Sequence, residues 1–169
     1  MGFLLHILSL VIVLLLQMLV FNNLHFLGIC HPYIYILFLI SLPIRIPQWI
    51  ELLIGFGVGL IADMLCGSPG VHAAACSILA YLRPIFIRRT IQDSERISMK
   101  IDGLSIGTNE YAKLVVLYTI LHHTLVFAIE AWSFSHFWLL VSKIFVSSLF
   151  TIAMLLFYGG YLPTLKERI

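Results

Sequence analysis

The stretch that decides the fold is residues 49–87, which read WIELLIGFGVGLIADMLCGSPGVHAAACSILAYLRPIFI. Two apolar runs, 49–65 and 71–87, flank the residues CGSPG, which are typical of a tight turn because Pro fixes φ and Gly tolerates positive φ. At about 1.5 Å of rise per residue, each run is close in length to the ~30 Å hydrocarbon core of a bilayer. The stretch therefore predicts an antiparallel pair of transmembrane helices.

The rest of the chain has the same apolar character. Its 169 residues are 61% hydrophobic and 11% charged, whereas a soluble domain is roughly 25% charged. Further apolar runs predict helices at residues 3–21, 33–46, 111–130 and 138–158. We therefore expect an all-α integral membrane protein, with one transmembrane domain of about six helices over residues 1–169. Nothing in the composition points to nucleic acid.

The positions of Lys and Arg predict the orientation in the membrane. With the N-terminus in the cytoplasm, the cytoplasmic loops and the C-terminal tail hold Arg45, Arg88, Arg89, Arg96, Lys100, Lys166 and Arg168. The loops on the other side hold no Lys or Arg. Cytoplasmic loops of membrane proteins are enriched in cations, so we expect both termini and the polar stretch 88–110 in the cytoplasm. This orientation requires the short run 33–46, the weakest of the six, to cross the membrane.

Small residues share a helix face with one acidic residue. Gly55, Gly59 and Asp63 are spaced by four residues, which places them on one side of a helix. A Gly-x-x-x-Gly pattern lets two helix backbones approach closely. We expect the partner to be the helix at 71–87, whose first turn, beginning at His72, is also rich in small residues.

This packing would bring Asp63 to the start of the next helix, beyond the turn that contains Pro69 and Gly70. The structural interpretation is that Asp63 accepts hydrogen bonds from the free N–H groups beside His72 and from turn residues. The alternative interpretation is that Asp63 binds a ligand or a proton, because acidic groups at membrane depth often do.

Glu51 and Arg83 are level in the predicted hairpin, near its cytoplasmic end. They either pair with each other or extend separately to lipid headgroups, and the sequence leaves both alternatives open. Pro84 follows directly and should kink its helix, because proline cannot donate the backbone hydrogen bond.

Two adjacent histidines, His122 and His123, fall in the middle of the run 111–130. Adjacent side chains on a helix point about 100° apart and cannot both hold one ion. We therefore expect no metal site, and instead neutral imidazoles that hydrogen-bond across helices. His123 should share its face with Phe127 and Glu130.

Glu130 and Lys143 lie on either side of the short connection between the last two helices. An ion pair between them would offset the cost of placing both charges near the membrane. Lys143, Ser147 and Thr151 are spaced by four residues and should form a polar stripe that faces the helix bundle.

No catalytic or cofactor-binding motif is present. The chain contains no phosphate-binding loop, dinucleotide fingerprint or zinc-protease motif, so we expect neither catalysis nor a cofactor. Ser68 beside His72 is sufficiently explained as part of a turn. Cys30 and Cys66 would lie on the same membrane side, which leaves a disulfide between them open.

The motifs together resemble one protein family. The segments GLIAD at 59–63, GSPGVHAA at 67–74 and LAYLRP at 79–84 resemble the rod shape-determining protein MreD, and the segment 122–137 is similar to its Bacteroidetes-type version. The resemblance implies a non-catalytic subunit of the cell-elongation complex in the bacterial inner membrane. Its partners would be the bitopic protein MreC, MreB filaments, the RodA glycosyltransferase and a penicillin-binding transpeptidase. The polar stretch 88–110 would be a cytoplasmic contact or a spacer.

A second class of function stays open. MreD is similar in fold to the six-helix substrate-capture subunits of vitamin (ECF-type) transporters, which dock their partner through a small-residue face on an early helix. The run 3–21 contains no Ala or Gly, which argues against that docking mode. A ligand pocket would have to be lined by Asp63, His72, Glu130, His136 and Lys143. A channel is disfavoured, because no predicted helix has a continuous polar face.

The charge distribution makes a testable prediction about orientation. A single cysteine at Met99, in a variant lacking Cys30, Cys66 and Cys76, should stay unlabelled by an impermeant thiol reagent in intact cells and react after lysis. Labelling of that cysteine in intact cells would contradict the predicted topology.

Overall fold

The computed structural model describes residues 2–20, 30–44, 46–91, 106–131 and 137–166. Within these ranges the chain is helical, with no β-strand. The helices are α1 (Gly2–Leu19), α2 (Ile36–Ile40), α3 (Gln48–Cys66), α4 (Val71–Thr90), α5 (Thr108–Glu130) and α6 (Phe137–Lys166). The predicted all-α class is confirmed for the described residues.

Four of the described helices are long and apolar enough to cross a membrane. They are α3, α4, α5 and the part of α6 from Phe137 to Gly159. These four helices support a multi-pass membrane protein, as the composition predicts. Each extends the predicted bounds: α4 continues to Thr90, α5 begins at Thr108, and α6 reaches Lys166.

The predicted cytoplasmic loop is shorter than residues 88–110. Arg88 and Arg89 are exposed in the last turn of α4, where cations are favoured by the helix dipole, and Glu110 lies in the first turn of α5. The central part of the predicted loop, including Arg96 and Lys100, lies outside the described residues.

The predicted second helix at 33–46 is wrong in length, because α2 covers only Ile36–Ile40. Upstream, the N–H groups of Tyr33 and Ile34 bond to side chains of other helices. Downstream, the N–H of Ser41 bonds to Leu37 as a helix end, and Pro43 cannot continue the ladder. We call residues 30–44 the buried segment, since nearly all of it is enclosed by the helices.

The α3–α4 hairpin closes through a turn that depends on glycine. Gly67 and Gly70 have φ of 72° and 84°, in the left-handed region that other residues rarely adopt. The N–H groups of Gly67 and Ser68 bond to the carbonyl of Asp63 at 2.8 and 3.2 Å, which ends α3. Pro69 completes the turn at the position predicted from sequence.

The two helices of the hairpin are in backbone contact at the predicted glycines. A Cβ on Gly59 would lie 2.5 Å from Cα of Ala73 and would also meet the carbonyl oxygen of His72. A Cβ on Gly55 would lie 2.9 Å from Cβ of Ala80. Only glycine permits this approach, which brings Asp63 level with the first turn of α4.

The close approach of the two helices predicts that leucine substitutions at Gly59 and Gly57 change the thermal stability by different amounts. Gly59→Leu should lower the midpoint of thermal unfolding in detergent strongly, because overpacking costs roughly 1–3 kcal/mol or more. Gly57→Leu is the matched control, since a Cβ there meets nothing within 4 Å. Equal midpoints for the two variants would contradict the packing described.

Candidate functional site

Asp63 is buried and holds the start of α4. Its Oδ1 accepts the N–H of His72 at 2.8 Å, and its Oδ2 accepts the N–H of Ala73 at 3.0 Å. The first N–H groups of a helix have no partner within it, so this carboxylate caps α4 from the neighbouring helix. The hydroxyl of Ser68 donates to Oδ1 at 3.2 Å. These are the contacts predicted from the residue spacing.

The imidazole of His72 completes the cluster. Its Nδ1 lies 3.0 Å from Oδ1 of Asp63 and 2.8 Å from Oγ of Ser68. Donation from Nδ1 to the carboxylate leaves Nε2 as an acceptor, and Nε2 has no partner among the described residues. In a hydrolytic triad, serine and aspartate bond to opposite ring nitrogens. Here both contact Nδ1, so the cluster does not have that geometry.

Tyr33 of the buried segment lies at the centre of a group of aromatic rings. Its ring centroid is 4.9 Å from that of His72, 5.5 Å from that of His122 and 5.2 Å from that of His123. The neighbouring Tyr35 hydroxyl lies 2.7 Å from Nε2 of His122. Both α5 histidines therefore contact the buried segment, and His122 also lies against His72 of α4, with 6.2 Å between ring centroids.

His123 connects α5 with α6. Its Nδ1 donates to the carbonyl of Thr119 at 2.9 Å, so Nε2 faces Oγ1 of Thr151 at 3.4 Å. This matches the expected hydrogen bonding of a neutral imidazole across helices. In the part of the chain that the structure describes, no three His, Cys, Asp or Glu side chains are grouped to hold a metal.

The backbone of the buried segment is bonded to side chains from α1 and α6. Gln17 accepts the N–H of Ile34 at 2.8 Å and donates to the carbonyl of Pro32 at 2.9 Å. Oγ of Ser147 accepts the N–H of His31 at 2.9 Å. Sequence reasoning missed Gln17, although an amide in an otherwise apolar run was a signal that it has a buried partner.

Thr151 contributes a further bond, because its Oγ1 accepts the N–H of Tyr33 at 3.3 Å. Ser147 and Thr151 are both fully buried, which confirms that this part of the α6 stripe faces the bundle. Ser147 and Thr151 of the predicted stripe thus accept hydrogen bonds from the backbone of the buried segment.

Arg83 and Glu51 form an ion pair inside the bundle. Nη1 of Arg83 donates to Oε1 of Glu51, and Nη2 donates to the carbonyl of Leu42 at the end of the buried segment. Both charged side chains are buried, so of the two alternatives left by the sequence, pairing is the one observed. Pro84 follows within α4, which continues for another two turns to Thr90.

The predicted ion pair between Glu130 and Lys143 is wrong. Glu130 is exposed at the end of α5, and Lys143 is only partly buried. Among the residues that the structure describes, the ion pair of two charged side chains joins Glu51 to Arg83, and the contact between Asp63 and His72 is a hydrogen bond from a neutral imidazole; neither contact involves Glu130 or Lys143. Lys143 acts on Glu130 electrostatically, but only from beyond ion-pair distance. His136 lies outside the described residues.

No disulfide joins Cys30 to Cys66, so that alternative is not realised. Cys76 is fully buried on α4, with its Sγ 3.9 Å from Nε2 of His122. It therefore packs as a small apolar side chain within the same interior cluster.

Comparison with known proteins yields no relative: no protein-family model, curated protein or solved structure matches this chain. The resemblance to MreD therefore stays a prediction from the sequence motifs. The function has to be argued from the arrangement of the buried polar groups.

The Asp63 contacts predict a graded effect of substitution. Asp63→Leu leaves two buried N–H groups without an acceptor, at about 1–3 kcal/mol each, and should lower the folded yield and the midpoint of thermal unfolding. Asp63→Asn retains one acceptor oxygen and should lose less stability. Wild-type stability of Asp63→Leu would contradict the structural role.

Proposed function

We propose that this chain is a non-catalytic scaffold subunit of the bacterial cell-elongation complex, as its resemblance to MreD implies. It would sit in the inner membrane, bind an MreC-like bitopic protein, and organise MreB, RodA and a penicillin-binding transpeptidase. The observation that carries the proposal is that the buried polar groups form hydrogen bonds and an ion pair within the chain. Their bonds hold the chain's own helices and buried segment together.

The principal polar residues of the interior have partners within the chain. Asp63 caps α4, Glu51 pairs with Arg83, and Gln17 bonds the backbone of the buried segment. A transport or catalytic subunit needs polar groups directed at a substrate. Each of these residues bonds at least one group of the chain itself, which supports a structural role, although single atoms of Glu51 and Arg83 have no partner among the described residues.

The outer surface of the bundle offers contact area for other membrane proteins. Large apolar side chains are exposed on several helices, including Trp49, Met64, Trp138, Phe145 and Phe157. Of the four spanning helices, α6 is the least covered by the rest of the chain. Helices in lipid associate through such packing together with a few hydrogen bonds.

The vitamin-transporter alternative is less well supported. Its pocket would need Asp63 and His72 to face an opening, but the two are buried and bonded to each other. Glu130 is exposed at a helix end instead of lining an enclosed site. Together with the missing small-residue face on the run 3–21, this arrangement favours the scaffold.

Co-purification discriminates between the two classes. The tagged chain would be cross-linked in native membranes, extracted in mild detergent and analysed by mass spectrometry. An unrelated multi-pass protein with the same tag is the control. We expect enrichment of an MreC-like protein, RodA and a transpeptidase over the control. Enrichment of a vitamin importer's ATPases without those proteins would overturn the proposal.

A further inference from the structure

The buried ion pair leaves two of its own atoms without a partner. Arg83 uses both terminal nitrogens, but its Nε has no partner among the described residues. Glu51 uses Oε1, whereas its Oε2 is equally unpartnered. Both side chains are almost entirely excluded from the surface. A donor and an acceptor thus stay unused on two side chains that contact each other.

Tyr118 of α5 has a third unpartnered atom, on the helix that packs against this part of α4. Its ring packs edge-on against that of Phe86, one turn beyond Arg83 on α4, with 5.7 Å between ring centroids. The phenol is close enough to interact electrostatically with both Arg83 and Glu51. Its hydroxyl is buried and has no partner among the described residues. Unpartnered polar atoms of α3, α4 and α5 therefore lie within electrostatic range of one another.

The chemistry of these three atoms restricts what can bind them. The Nε–H of Arg83 needs an acceptor, Oε2 of Glu51 needs a donor, and the Tyr118 hydroxyl can serve as either. A fully deprotonated anion cannot donate to the carboxylate, the negative charge of any anion is repelled by it, and a metal cation cannot accept from the guanidinium. A small neutral molecule that both donates and accepts satisfies all three, and water is the one present in every compartment.

We propose that Glu51, Arg83 and Tyr118 form an internal hydration site that binds at least one ordered water. Buried water commonly bonds about three polar groups that would otherwise be unsatisfied. In this position it would complete the solvation of a charge pair enclosed in the membrane. Because Arg83 also donates to the carbonyl of Leu42, the hydrated pair would anchor the end of the buried segment.

Radiolytic labelling of the wild-type chain in detergent tests whether Tyr118 contacts a bound water. Hydroxyl radicals formed from water by short X-ray pulses modify side chains that contact water, including buried ones. Tyr118 and Tyr111 are both 2% exposed, but the hydroxyl of Tyr111 donates to the carbonyl of Leu155 at 3.2 Å. We expect labelling of Tyr118 to be several-fold faster than that of Tyr111. Equal rates would overturn the proposal.

A pair of variants provides a second test. The change in the midpoint of thermal unfolding should have one sign if the site holds water and the opposite sign if it is dry. Tyr118→Phe should lower the midpoint of thermal unfolding, because it removes one bond to the bound water. Tyr111→Phe, which loses a direct protein hydrogen bond, gives the scale of such a loss. If the phenol were dry, removing its hydroxyl would relieve an unsatisfied group and raise the midpoint. A raised or unchanged midpoint for Tyr118→Phe would overturn the proposal.

Discussion

The structure depends on satisfying the backbone of a segment that lies in the interior and is helical only at Ile36–Ile40. A polar backbone group without a partner costs several kcal/mol in an apolar interior. The buried segment keeps only a short helix at Ile36–Ile40, so its other N–H and C=O groups need partners elsewhere. Gln17, Ser147, Thr151 and Arg83 supply those partners from α1, α6 and α4.

The same requirement explains the polar residues of the long helices. Asp63 satisfies the N–H groups at one end of α4. Near the other end of α4, Arg83 donates to the carbonyl groups of Leu42 and Pro43 in the buried segment while pairing with Glu51. Asp63 and Arg83 therefore each supply a missing backbone partner. Because these bonds join different helices, they also fix the arrangement of the bundle.

The sequence predicted the contacts that depend on local spacing. Gly55, Gly59 and Asp63 share a face because they repeat every four residues, and a tight turn leaves α4 as the only near neighbour. The sequence failed where contacts join distant elements. The bonds from Gln17 to the buried segment depend on how three elements meet in space. The predicted pair of Glu130 and Lys143 assumed burial of both residues, which their helix positions do not impose.

Hydrogen–deuterium exchange over the buried segment tests its side-chain anchoring most directly. In detergent, amides in a peptide covering residues 33–40 should exchange as slowly as those in a peptide covering 73–80 of α4, because both are buried and bonded. Exchange as fast as in the mostly exposed first turn of α5 at residues 108–110, whose N–H groups have no partner within the helix, would contradict the anchoring by Gln17 and Thr151.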